Sequence, residues 1–227
     1  MALSKNEIAR MIDLSCVQAQ SSITEISEMV ELAKQTNCIC CFAMPAYTKQ
    51  LVEMLADYPE IKVGGVVGFP SGGVTTDIKV AEAKQLVEFG VDELDMVLNL
   101  GKLRAGDFDF VARDIAAVKK VAGQIPLKVI LECHWLNDEE IVKACEICVQ
   151  AGAAYVKTST GWAPTGATEQ NISLMKKTVG DLAKVKAAGG VRTLETLEKL
   201  HALGAVRFGL SAKSAAGIFA ELESRNG

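Results

Sequence analysis

Short apolar runs alternate along this chain with longer amphipathic ones. Eight runs read as strands: MIDLSC, CICCFAM, IKVGGVVGF, DELDMVLN, LKVILEC, AYVKTST, AKVKAAG and VRFGLS. Between them lie stretches such as TDIKVAEAKQLVEFG and LETLEKLHALG, whose apolar positions recur with helical spacing. Strands that are apolar on both faces and alternate with helices predict a parallel sheet covered by helices. Eight such units in 227 residues favour an α/β chain forming one closed (β/α)8 TIM barrel, with a short N-terminal helix ahead of it. An open doubly wound sheet is the alternative. No GxGxxG follows the first strand, so dinucleotide binding has no support. No Pro/Gly/Ser-rich linker divides the chain, and residues 1–227 are expected to form a single domain.

The repeat aligns from within. Gly90, Gly152 and Gly204 each stand between a helical run and a strand, and Asn37 fits the same slot. Both residue types suit the left-handed position that ends a helix. Counting five residues onward from each reaches Asp95, Lys157, Gly209 and Phe42. Equal offsets along strands give equal orientation, so Asp95 and Lys157 are expected at one level near the C-terminal mouth of the barrel, where such folds place their chemistry. Lys186 lies just before Gly189–Gly190, as Lys157 lies just before Gly161, which places it at the mouth too.

A lone strand lysine would be read as half of a structural ion pair. Two lysines around one aspartate instead leave surplus positive charge in a desolvated place. Desolvation and a neighbouring cation both disfavour an ammonium group, and a neutral lysine amine forms Schiff bases with carbonyls. The glycine-rich breaks GGVRT and FGLSAKS follow the seventh and eighth strand runs. Barrels of this kind often bind phosphate there, with Arg192 and Ser211 close by in sequence.

Composition removes other classes. The formal charge is −4 with no basic run, which disfavours nucleic-acid binding. No apolar run approaches the ~18 residues of a membrane span, and the charged MALSKNEIARMIDLS lacks the apolar block of a signal peptide; a cytoplasmic location is expected. The seven cysteines include one CxxC, Cys145 and Cys148, within a helical pattern and without a second CxxC. Reduced packing residues are expected rather than a zinc site. His134 reads as a loop residue beside a helix cap formed by Asn137 and Glu140, and His201 as a helix residue.

MIDLS, GFPSG, ELDMVLN, LKVILE, VKTSTG, KAAGGVRT and RFGLS together resemble the deoxyribose-phosphate aldolases, class I Schiff-base aldolases, over nearly the whole chain. The resemblance implies that Lys157 forms the Schiff base. Lys186 would perturb it and share a proton relay with Asp95. Gly161, Gly189, Gly190, Arg192, Gly209 and Ser211 would hold a sugar phosphate, and Asp13 and Thr160 would organise the site or touch substrate. It further implies cleavage of 2-deoxyribose 5-phosphate to glyceraldehyde 3-phosphate and acetaldehyde without cofactor or metal, small-molecule partners, and a homodimer or homotetramer. Phe42, Trp162 and Ala212 depart from the family pattern, standing where members carry cysteine, lysine and a hydroxyl residue respectively. Two other readings stay open: the same mechanism with a different, unphosphorylated acceptor, and a non-catalytic sugar-phosphate-binding barrel.

Overall fold

Helix ends set where the strands begin. In the computed structural model, which describes residues 3–226, Gly90, Gly152 and Gly204 have φ of 90°, 78° and 108°, and Asn37 has 57°. These left-handed residues stop four helices and turn the chain into the sheet. The strands are β1 (Ile12–Cys16), β2 (Cys40–Ala43), β3 (Lys62–Val67), β4 (Glu93–Val97), β5 (Leu127–Ile130), β6 (Tyr155–Lys157), β7 (Lys184–Ala188) and β8 (Ala205–Leu210). Each pairs in parallel with the next, and β8 pairs with β1, so the sheet closes into a barrel.

The helices are α1 (Lys5–Ala9), α2 (Ile23–Thr36), α3 (Pro45–Met54), α4 (Thr76–Glu88), α5 (Leu100–Arg104), α6 (Phe108–Ala122), α7 (Asp138–Gln150), α8 (Glu169–Val179), α9 (Leu194–Ala202) and α10 (Ala212–Asn226). Short α1 starts in a reciprocal cap between Ser4 and Glu7, and Asn137 and Glu140 form the same motif at α7. On α6, Val111, Ile115, Val118 and Ala122 are buried. Their spacing places them on one face, and each large apolar side chain so buried contributes about 1.5–3 kcal/mol. The main apolar core therefore lies between strands and helices, leaving the interior of the barrel mouth for other side chains.

Alternation along the strands stacks that interior in layers. Cys40, Glu93, Tyr155 and Arg207 come from the even strands; two residues further on, so do Phe42, Asp95, Lys157 and Gly209. Between them the odd strands supply Asp13, Lys128 and Lys186. On β3 the place is held by Gly64, where an added Cβ would lie 2.1 Å from the Phe42 ring. The ring lies directly on that bare backbone.

Candidate active site

β4 turns Glu93 and Asp95 inward, and the neighbouring strands surround them with cations. Asp95 Oδ2 accepts hydrogen bonds from both Lys157 Nζ and Lys186 Nζ at 2.7 Å, and Oδ1 accepts one from Lys128 Nζ at 2.9 Å. Lys128 also donates to Glu93 Oε2 at 2.6 Å. Arg207 bridges Glu93 and Asp13, donating to Glu93 Oε2 at 2.8 Å and to Asp13 Oδ1 at 2.9 Å. Asp13 Oδ2 lies 2.5 Å from Lys186 Nζ, an ion pair whose angles miss hydrogen-bond geometry.

The sheet register explains how Lys157 reaches Asp95. On β5, Lys128 pairs with Asp95 whereas Ile130 pairs with Lys157. The two positions thus differ by two residues across two strand steps, and the tilt of barrel strands brings that offset to a common height. Lys186 pairs directly with Lys157 in register.

Electrostatics separates the amines. Lys157 is brought down to about 8, chiefly by burial, with Asp95 opposing and Lys186 adding to the fall. Burial would lower Lys128 as well, but Asp95, Asp13 and Glu93 hold it above its ordinary value. Asp95 would rise on burial alone, yet Lys128, Lys157 and Lys186 keep it well below the usual carboxylate range. The Phe42 ring covers this cluster, its centroid 4.4 Å from Lys186 Nζ and 4.9 Å from Lys128 Nζ, a favourable cation–π distance.

Above the cluster opens a cleft of about 460 Å³. Lys157, Lys186 and Asp13 lie on its floor with Thr160 and Gly161 at one rim; Gly189, Gly190, Arg192, Gly209 and Ser211 line the β7–β8 side. The opposite wall is apolar, made by Val17, Phe42, Val66 and Phe69. Every site residue expected from sequence thus reaches the cleft wall except Asp95, which is fully buried beneath the amines.

Two of those residues are engaged within the chain itself. Thr160 donates both its N–H and its hydroxyl to Glu132, and its oxygen accepts the Trp162 N–H at 3.0 Å. Glu132 has a positive φ of 55°, a strained setting for a non-glycine residue. Ser211 Oγ accepts the Ser214 N–H at 3.2 Å, capping α10. Trp162 donates its ring N–H to Val17 O at 2.9 Å and meets Phe69 edge-on, tying the loop after β6 to the loop after β1. His134 is hydrogen-bonded to Thr165 at 2.6 Å and His201 to Ala205 O at 2.9 Å. All seven cysteines are free thiols.

Four of the charged groups here, Asp95, Lys157, Lys186 and, by resemblance, Asp13, are expected from sequence, whereas seven meet. Glu93 and Arg207 were within reach of the same counting, three residues after Gly90 and Gly204. Lys128 was within reach too, five residues after Gly123, which ends α6 with a φ of 57°. Asp13, Cys40 and Glu93 have the proximity of metal ligands, but Arg207 already occupies both carboxylates. Those carboxylates are better suited to holding the guanidinium than to holding a metal.

The DeoC/LacD family aldolase profile matches residues 8–219. A deoxyribose-phosphate aldolase of Klebsiella pneumoniae is 44% identical over 220 residues, covering 96% of this chain and 88% of that protein. One from Bacillus cytotoxicus is 44% identical over 209 residues, covering 92% and 93%. A tetrameric deoxyribose phosphate aldolase structure from Aeropyrum pernix superposes with a TM-score of 0.88 at 27% identity, covering 98% of this chain and 93% of that one. With its closed barrel and its inner lysines around one aspartate, the chain belongs to the DeoC/LacD family of aldolases.

Proposed function

We propose that this protein cleaves 2-deoxy-D-ribose 5-phosphate reversibly to D-glyceraldehyde 3-phosphate and acetaldehyde, with Lys157 as the Schiff-base residue. The observation that carries this is the position of the Lys157 amine. It reaches the cleft floor, and its one carboxylate partner is shared with two other cations. An amine so placed gives up its proton more readily than an ordinary lysine.

The neutral amine attacks the substrate's C1 aldehyde, and loss of water gives an iminium. A base removes the C3 hydroxyl proton, the C2–C3 bond breaks, and its electron pair flows into the iminium to form an enamine. Glyceraldehyde 3-phosphate leaves. Protonation of the enamine at C2 and hydrolysis of the resulting iminium release acetaldehyde and restore Lys157. Asp95 and Lys186, 2.7 Å apart and beside that amine, are assigned the proton movements through water; help of this kind is worth ~100- to 10,000-fold. The phosphate is assigned to the backbone of Gly189, Gly190 and Gly209 with Arg192, Gly161 and Ser211, and Asp13 is assigned to orienting Lys186. Thr160 is read as a support for the Gly161 turn, since its hydroxyl is already spent on Glu132 and Trp162.

A second reading, an unphosphorylated acceptor, rests on Trp162, next to Gly161 in the loop after β6, and Ala212 at the start of α10, neither of which offers an anion a charge or hydroxyl. The assembly is read as a homodimer or homotetramer, supported by the tetrameric description of the Aeropyrum relative. Borohydride reduction with acetaldehyde, followed by peptide mass mapping, should leave an adduct on Lys157. No adduct, with sugar phosphate still bound, would convict the chain of being a non-catalytic binder. Comparing phosphorylated with unphosphorylated deoxyribose in the cleavage assay decides between the two substrates.

A further inference from the structure

The charges beneath the cleft are not a loose cluster. Followed from partner to partner they run Asp95, Lys128, Glu93, Arg207, Asp13, Lys186 and back to Asp95, alternating in sign at every step. Each member has two neighbours of opposite charge along the circuit, and Lys128 also lies 4.0 Å from Asp13 across it. Three acids and three bases leave the circuit neutral as a whole. Lys157 hangs outside it on Asp95 alone.

We propose that Glu93, Lys128 and Arg207 are positioning residues for the Lys157 amine: with Asp13, Asp95 and Lys186 they close a ring of alternating charge that satisfies itself and leaves Lys157, of the three inner lysines, without a carboxylate of its own. This rests on the aldolase reading and extends it to residues that never touch substrate.

The physical reason lies in competition. A lysine facing an isolated buried carboxylate is held as ammonium by the full charge of its partner. Here Asp95 is already neutralised, Oδ1 by Lys128 and Oδ2 by Lys186. Lys186 stands between two carboxylates and Lys128 among three, the farthest at 4.0 Å. The charged groups facing Lys157 are Asp95 from β4, Lys128 from β5 and Lys186 from β7, with Asp13 of β1 behind Lys186. All belong to the ring. Outside the strands, Arg192, Lys213 of α10 and Glu25 and Glu28 of α2 line the same cleft, and Glu132 is taken up by Thr160. The ring therefore decides which of three inner lysines serves as nucleophile.

A ring of this kind predicts shifts of opposite sign, which mere bracing does not. Glu93→Gln leaves the ring one charge positive and disfavours ammonium at Lys157. Arg207→Met leaves it one charge negative and favours ammonium. The readout is the pH dependence of borohydride trapping with acetaldehyde, which carries no ionisable group. The midpoint should move down by about one pH unit in Glu93→Gln and up by about one in Arg207→Met. In the Glu93→Gln/Arg207→Met double variant it should return to the wild-type value. Unmoved midpoints, or two shifts in one direction, in variants with native circular dichroism would overturn the proposal while trapping at Lys157 upholds the aldolase reading. Absence of trapping in the wild type overturns that reading itself, and this inference with it. Should the single variants fail to fold, side-chain ¹⁵N NMR of the wild type decides. Lys157 must lose its proton before Lys128, and Lys128 titrating first would overturn the ring's role.

Discussion

Lys79, packed between α4 and α6, and Lys157, at the barrel mouth, are both drawn below the usual ammonium range by burial. Lys79 pairs with Asp114 at 2.6 Å and donates to Val97 O at 3.0 Å, while the other oxygen of Asp114 takes the Thr76 hydroxyl at 2.7 Å. Its carboxylate is its own, and it does not line the cleft. Lys157 shares its carboxylate with two other cations and opens onto a cavity. A lowered proton affinity is thus common to a staple and to the proposed nucleophile; competition for the carboxylate and access to a ligand distinguish them.

The largest effect should come from exchanging the roles. Lys157→Ala is expected to lower kcat by about four orders of magnitude or more, since the covalent route disappears. Lys79→Met should keep kcat within about threefold, yet cost about 3–5 kcal/mol in chemical denaturation because Asp114 stays buried without its cation. A folded Lys79→Met enzyme without turnover would break the comparison.

Proton affinity sharpens it next. With the Lys157 ammonium giving up its proton near 8, acetaldehyde trapping should fall about tenfold per pH unit below that value. The sign of the stability effect follows from the same depression. Between about 8 and the ordinary lysine range near ~10.4, the unfolded chain binds more protons than the folded one, so stability rises with pH across this window. Below it the penalty is complete. Lys157→Met should therefore be at least as stable as the wild type in denaturant at pH 7, the reverse of Lys79→Met.

The smallest expected effect concerns the cleft wall. Arg192→Ala should raise KM for the phosphorylated sugar about 10- to 100-fold, the loss of one charge-assisted contact, and leave acetaldehyde trapping unchanged. An equal loss in trapping would mean that Arg192 acts on the amine instead of the phosphate.

The strands were legible because parallel strands covered on both faces leave unbroken apolar runs, and left-handed helix ends mark their origins with glycine or asparagine. That frame also predicted the shared height of Asp95 and Lys157, which are 2.7 Å apart. What escaped was the depth of the charge network. Glu93 and Arg207 sit one layer below the mouth, where a sequence reader expects packing residues, and Lys128 lies five residues after the helix-ending Gly123, with QIP between the glycine and its strand. Thr160 was legible as a residue that organises the site or touches substrate, but the sequence did not say which. Its residue type suits a ligand contact, and only the backbone turn at Glu132 shows that its hydroxyl is committed elsewhere.

The alternating ring also bears on how the chain assembles. Its members come from β1, β4, β5, β7 and β8, and the Asp13–Arg207 contact joins residues 194 positions apart. An intermediate lacking the last strand would shut Asp13 and Glu93 inside without their guanidinium, a state costing several kcal/mol. Partial barrels are thereby penalised, and truncation before β8 should yield an insoluble product instead of a smaller stable one. The ring proposed to select the nucleophile would also make the fold all-or-none.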